Sequence, residues 1–244
     1  MKQNEETRVA RCGADTIEYR VRRSARRTRT ILISVDRDGV QLAAPLDTED
    51  EELRALVVRR AAWIRKKLQS LGDAPAPLRF ISGETVPYLG RTIPLTCQRD
   101  GTSAQVRFDG SRLRVSVPAG LADEERFATA RDAIVAWYRV RAAERLPAAV
   151  EAWWSRLGSG PSPPVLVRDQ RKRWGSCGSD GVIRLNWRVV MLDDSLIDYV
   201  VVHELSHLRV RNHSPAFWQL VERSIPDAAQ RHRRLKEIAL RLPL

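Results

Sequence analysis

Three of the chain's four histidines, His203, His207 and His213, fall in one short stretch, HELSHLRVRNHS at 203–214. Imidazole is a metal ligand and a proton carrier near neutral pH, so this clustering points to chemistry. His203 and His207 stand four residues apart. On a helix that spacing puts both rings on one face, one turn apart, within reach of one ion. Glu204 follows the first histidine and can hydrogen-bond a water on that ion without ligating it. The pattern is H-E-x-x-H, a signature of metal-activated hydrolysis. A catalytic zinc takes three protein ligands and keeps one position for water. The ion brings the water's pKa from about 15.7 toward about 7. A carboxylate then takes the proton and later hands it to the leaving group. His213, with five residues between it and His207, supplies the third ligand. Zn2+ is the chemical expectation for three imidazoles, and cobalt, nickel or manganese could substitute.

The second-to-third histidine spacing equals that of metzincins. Those enzymes carry a glycine midway, where this chain has Val210, and a methionine turn downstream. Here the methionines are Met1 and Met191, both upstream, so the metzincin reading fails.

Positioning these groups requires a helix, a stop and a return. Leu196, Ile197, Val200, Val201, Leu205 and Leu208 give a buried stripe over 196–210. Ser195 with Asp198 forms a capping-box pattern at its start. Asn212 tolerates a left-handed helix stop. Ser214-Pro215 opens the next helix in N-cap, N1 order. His232, in QRHRRLK, reads as a solvent-exposed helix residue outside the ligand set.

Upstream, residues 17–23, 29–35 and 40–45 read as strands, with a turn at 36–39. Three- and four-residue apolar steps predict one amphipathic helix over 48–71. Hairpins follow at 85–98 around Gly90 and at 104–118 around Asp109-Gly110. A long helix runs from about 122 to Leu157. VLVRD at 165–169 is a strand, and KRWGSC with VIRLNW forms a hairpin. Strand, DG turn, strand, proline, acidic helix start and tryptophan occur in that order twice, with Pro45 before Trp63 and Pro118 before Trp137. Duplication and the common recurrence of such units both explain this. The domain boundary is placed near residue 118, giving a β-rich α+β domain over 1–118 and a metallohydrolase domain over 119–244.

Around the histidine helix, Arg173 could hold an anionic group or an oxyanion, and Ser176 could donate to it. Arg173 reads equally as structural. Trp174 reads as a core anchor and Gly175 as a close-packing point. Cys177 as a fourth ligand would close the site to water, and that reading is set aside. Asn186 is a substrate-binding candidate if its strand takes an extended chain by β-addition. Phe217 and Trp218 are expected under the metal site. Tyr138 and Tyr199 are unranked as transition-state stabilisers.

KRWGSCGSDGVIRLNW followed by YVVVHELSHLRVRNHSPAFWQLV resembles the YgjP-like metal-dependent hydrolases, relatives of the SprT-like and WLM zinc peptidases. The resemblance extends over the chain, including VRRSARRTRTILISV and ISGETVPYLGR. It implies that His203, His207 and His213 are ligands and Glu204 the general base. It also implies a compact zincin fold, a small sheet packed on the H-E-x-x-H helix. The overall class is then α+β.

Composition bounds the rest. The chain has 244 residues and a net charge of +12. No stretch approaches the roughly 20 apolar residues of a membrane helix. The start, MKQNEETRVARCG, lacks an apolar signal core, and three scattered cysteines suit a reducing compartment. The expected location is the cytoplasm. The arginine excess reads first as solvated faces and second as a surface for nucleic acid or another polyanion. The leading expectation is a zinc-dependent peptidase acting on a peptide or protein. The alternatives are a metal-dependent nucleotide phosphohydrolase, for which no phosphate-cradling loop is present, and a DNA-associated protease.

Overall fold

Alternation of apolar and polar residues decides the strands, and in each of two units it faces one helical layer. The structure, a computed structural model, describes residues 5–13, 15–25, 27–36, 39–72, 78–170, 173–239 and 242. The chain divides into two compact units, Met1–Pro75 and Ala76–Leu244.

The first unit holds β1 (Glu5–Cys12), β2 (Asp15–Arg23), β3 (Leu32–Asp36), β4 (Gly39–Ala44), α1 (Asp50–Arg59) and α2 (Ala61–Gly72). Its strand order is β1-β2-β4-β3, with β2 and β4 parallel and the other pairs antiparallel. Ile17, Tyr19 and Val21 alternate inward on β2, as do Val40, Leu42 and Ala44 on β4. They share one core with Leu53, Val57 and Ile64 of the helices. The helix expected over 48–71 is two helices that break at Arg60 (φ −98°, ψ 6°). The apolar stripe runs on through the break, and no glycine or proline marks it. Strand β1 lies outside the sequence expectation. Half of its residues are charged, and it forms by pairing with β2 from Asp15 to Arg22.

The second unit begins with β5 (Thr85–Tyr88), β6 (Arg91–Gly101), β7 (Gln105–Phe108) and β8 (Leu113–Pro118). Their order is β5-β6-β8-β7, with β6 and β8 parallel and the outer pairs antiparallel. This repeats the order and strand senses of the first sheet, and a helix follows each. The match supports the duplication reading.

Next come α3 (Asp123–Leu157), β9 (Val165–Arg168), β10 (Gly175–Cys177), β11 (Ile183–Asn186), a 3-10 turn (Trp187–Met191), α4 (Asp194–Ser206), α5 (Pro215–Ser224) and α6 (Ala228–Ala239). Helix α3 buries every fourth residue from Ala130 through Ile134, Tyr138, Ala142 and Leu146 to Val150. Helix α4 is apolar nearly all round, as a fully packed central helix must be. The small sheet β10-β11-β9 packs on it through β10. A small sheet on the H-E-x-x-H helix is the zincin-like α+β arrangement anticipated above. No described helix is long and apolar enough to cross a membrane.

Two expectations shift. The units divide at 75/76, whereas the sequence placed a boundary near 118. The reason is packing: Val86, Ile93, Leu113 and Val115 of the β5–β8 sheet lie in the same core as α3 and α4. The cap of α4 is Asp193, whose side chain accepts from Leu196 N–H at 3.2 Å. Ser195 instead donates to Asp193, and Asp198 accepts the Trp153 indole N–H at 2.7 Å.

The β5–β6 turn reaches this cap. Leu89 and Gly90 both have positive φ (47° and 71°), the signature of a two-residue hairpin turn. Leu89 N–H donates to Val190 O at 2.9 Å. A Cβ on Gly90 would lie 2.5 Å from Asp193 Cβ and 2.9 Å from its Cα. Gly90→Ala is therefore expected to destabilise the unit by about 2–3 kcal/mol, from the left-handed backbone and the overpacking together. Urea unfolding followed by tryptophan fluorescence checks this, and an unchanged midpoint would contradict the close approach.

Candidate active site

The last turn of α4 carries His203 and Glu204, and His207 is its C-cap. The α-helix ends at Ser206, earlier than the expected 210. It tightens there through 3-10-type bonds: His207 N–H to Glu204 O at 3.2 Å and Leu208 N–H to Leu205 O at 3.1 Å. Asn212 does not adopt the expected left-handed stop. Among the described residues the non-glycine positive-φ positions are Phe80 and Leu89. Its Oδ1 accepts instead from Ser214 N–H at 3.4 Å. Ser214 and Pro215 open α5 as expected.

The return loop brings His213 Nε2 to 3.0 Å from His203 Nε2. One ring nitrogen from each of the three histidines lies within 4.8 Å of the others. With Zn–N bonds of about 2.0–2.1 Å, tetrahedral ligand nitrogens sit roughly 3.3 Å apart, so only small ring motions separate this arrangement from a ligand set. His207 Nδ1 lies 3.0 Å from Val210 O. That carbonyl accepts only if Nδ1 carries the proton, which leaves Nε2 free as a donor atom to metal. Burial, then His207, His213 and His232, pushes His203 down to about 3. A neutral imidazole is the form that ligates. The donor set fits zinc.

Phe217 is the floor. It is fully buried and stacks on His207 at 4.4 Å between centroids. It meets His203 and His213 edge-on at 4.9 and 4.8 Å. Trp218 lies beside His213, with centroids 5.7 Å apart.

Glu204 is buried, at 6% exposure. Burial pushes its carboxyl up to about 7, against the opposing pull of Arg173 and the Cys177 backbone N–H. Gly175 makes room for it. A Cβ at Gly175 would lie 2.7 Å from Glu204 Cγ and 2.8 Å from Oε1. Gly175→Ala is thus expected to shift the carboxyl and lower kcat for peptide hydrolysis by roughly 10²-fold, the scale of a 1 Å misplacement. Zinc content should hold. Wild-type kcat in this variant would show that the carboxyl tolerates displacement.

These groups line a cleft of about 350 Å³ together with Arg173, Ser176 and Arg211. Ser176 Oγ accepts from Gln170 Nε2 at 3.5 Å. Cys177 also lines the cleft, with its thiol pushed up by burial and then by Glu204. It lies outside the three-histidine group.

Asn186 is elsewhere. It sits on β11, the central strand of its sheet, so it has no open edge to offer a substrate. Its buried amide donates to Gln170 O at 2.6 Å and Arg173 O at 3.1 Å. Its Oδ1 accepts from Arg188 N–H at 3.1 Å. Asn186 therefore holds the backbone that carries Arg173. Tyr138 is also removed from the chemistry, since its hydroxyl donates to Pro87 O at 2.5 Å within the core.

The sequence reading missed Arg211 and misplaced His232. His232 is half-buried rather than solvent-exposed, and its Nδ1 lies 2.9 Å from Tyr199 Oη. Both border a second cavity of about 220 Å³ that also touches His203, Glu204, Trp174 and Leu235. The spacing of Ala228, His232 and Leu235 on one face of α6 was the available signal.

The family described as YgjP-like, metallopeptidase domain, matches residues 29–238. No curated protein matches. Among solved structures, the chain is similar to the metallopeptidase zymogen abylysin of Pyrococcus abyssi, at 25% identity over 41% of this chain and 99% of that one, with a TM-score of 0.37. It is also similar to the metallopeptidase zymogen jannalysin of Methanocaldococcus jannaschii, at 20% identity over 38% of this chain and 94% of that one, with a TM-score of 0.34. Matched over well beyond half of its length, with the histidine helix inside the match, the chain belongs to the YgjP-like metallopeptidase-domain family.

Proposed function

We propose that the chain is a zinc-dependent endopeptidase with His203, His207 and His213 as ligands and Glu204 as general base. Family membership supports the reaction class. One observation carries the site assignment: three imidazoles converge within 4.8 Å beside a single buried carboxyl in an open cleft.

When bound, the ion supplies Lewis acidity and acidifies water. Glu204 takes the proton of the attacking water at a carboxylate oxygen and passes it to the departing amine nitrogen. Its burial raises its proton affinity toward neutrality, which suits a group that must both accept and release. Gly175 keeps the carboxyl seated against β10, and Phe217 holds the rings. Strand β10 is an edge of its sheet and borders the cleft. An extended peptide can add to that edge through main-chain hydrogen bonds, with Ser176 and Arg173 on the wall beside it.

No specific observation favours nucleic acid. Many arginines of this unit are engaged by acids, among them Arg139 with Asp169, Arg184 with Asp180 and Arg234 with Asp193. Cys12, Cys97 and Cys177 are free thiols, which suits the reducing cytoplasm we assign to it.

The test is a mass-spectrometric digest of a mixed peptide library by zinc-loaded protein, with Glu204→Gln as control and nucleoside triphosphates in parallel. Peptide cleavage that disappears in the control is expected. A folded, zinc-occupied protein that cuts no peptide would overturn the reading.

A further inference from the structure

The cleft holds two cations that form no ion pair among the described residues. Arg173 and Arg211 both line it. Both are exposed, and neither has a hydrogen-bond or ion-pair partner for its guanidinium among the described residues. Other arginines of this unit differ: Arg188 meets Asp169 at 2.6 Å and Arg184 meets Asp180 at 2.7 Å. The one acid on the cleft wall is Glu204, which is buried and engaged in the chemistry proposed above.

We infer that Arg173 and Arg211 form a carboxylate-recognition site, so that this enzyme prefers peptides carrying a carboxylate next to the bond it cuts. The inference rests on the peptidase reading and names its substrate class. Guanidinium is permanently charged and offers paired N–H donors that match the two oxygens of a carboxylate.

Both cations are mounted on anchored backbone. Buried Asn186 donates to the Arg173 carbonyl at 3.1 Å. His207 Nδ1 holds the carbonyl of Val210, the residue before Arg211, at 3.0 Å. The hydrogen bond that orients a proposed metal ligand thus also fixes the approach of Arg211. A pre-positioned cation loses less freedom on binding and discriminates better. A divalent ion would add further positive charge, so the cleft favours anionic residues and disfavours Lys and Arg at the same positions.

The carboxylate could be an Asp or Glu side chain or a free C-terminus, and the experiment separates them. Zinc-loaded full-length protein digests three peptide libraries: acid-rich with amidated ends, acid-free with amidated ends, and acid-free with free C-termini. Acidic side chains as the source give preferential cleavage of the first, and the terminal carboxylate gives preferential cleavage of the third. The preference over the acid-free amidated set is expected to be at least roughly tenfold in kcat/KM, equivalent to about 1.4 kcal/mol. Arg211→Ala should raise KM by a similar factor with kcat nearly unchanged, and Arg173→Ala should raise KM likewise while also shifting kcat, because its pull on the Glu204 carboxyl is lost. Arg211→Glu should invert the preference toward basic peptides. Equal cleavage of the three libraries, or a preference that survives all three variants, overturns the inference and leaves the peptidase reading standing. Binding is read separately, by fluorescence titration of a labelled acidic peptide onto zinc-loaded Glu204→Gln with and without Arg211→Ala. If no library is cut, the peptidase reading fails by itself, and tenfold weaker binding after Arg211→Ala still upholds the anion site. Unchanged binding overturns the anion site. Hydrolysis of nucleoside triphosphates without peptide cleavage reassigns the arginines to phosphate and overturns both.

Discussion

Glu204→Gln is expected to lower kcat for peptide hydrolysis by roughly 10³-fold, in the middle of the 10²–10⁴ that a positioned general acid–base contributes. Zinc stoichiometry and stability should not fall. Glutamine has the same shape, so the 6% exposed pocket beside Gly175 stays filled. Its amide oxygen can still accept from the Cys177 backbone N–H that the carboxylate accepts now. What glutamine cannot do is take a proton. A buried carboxylate carries a desolvation cost that an amide largely avoids, so the melting temperature should hold or rise. Three measurements decide: kcat on a peptide cut by the wild type, metal content by mass spectrometry, and the thermal midpoint. More than a tenth of wild-type kcat would remove Glu204 from the proton transfer. Lost zinc with an intact fold would make Glu204 a ligand rather than a base.

How much of this site was legible follows from how local each signal is. The 203–207 pair was readable because helical periodicity alone puts residues four apart on one face. His213 was readable because a proline-marked helix start so close behind forces a tight return. Gly175 was recognisable as a packing point, although its neighbour Glu204 lies 29 positions later. Asn186 was misread because central and edge strands look alike in sequence. Only the pairing of β11 with both β9 and β10 shows that no open edge is left. Arg211 was invisible for a similar reason, since a loop arginine has no periodicity to say where it faces. The boundary near 118 failed because strand–helix alternation does not record which core a sheet joins. Tyr138, whose hydroxyl bridges α3 to the carbonyl of Pro87, is one of the residues that ties β5–β8 to the catalytic unit.

Phe217→Ala tests the other half of the site, its floor. One fully buried ring touches all three imidazoles and anchors α5 to α4. Truncation removes that burial and leaves a cavity beneath the rings, a loss of about 3–5 kcal/mol for a core phenylalanine. Against a typical total of about 5–15 kcal/mol, that is a large fraction. The metal should feel it as well. The imidazoles converge because they rest on a common surface, and supporting contacts of this kind are worth roughly 10–100-fold in metal affinity. Phe217→Leu refills much of the volume without the stacking face, so it should recover most of the stability and less of the affinity. Urea unfolding reads the first quantity through tryptophan emission, since six of the seven tryptophans lie between Trp137 and Trp218. Competition with a zinc chelator reads the second. If alanine costs under about 1 kcal/mol and zinc affinity is unchanged, the rings are held by their helices alone, and the stack under His207 contributes nothing to the site.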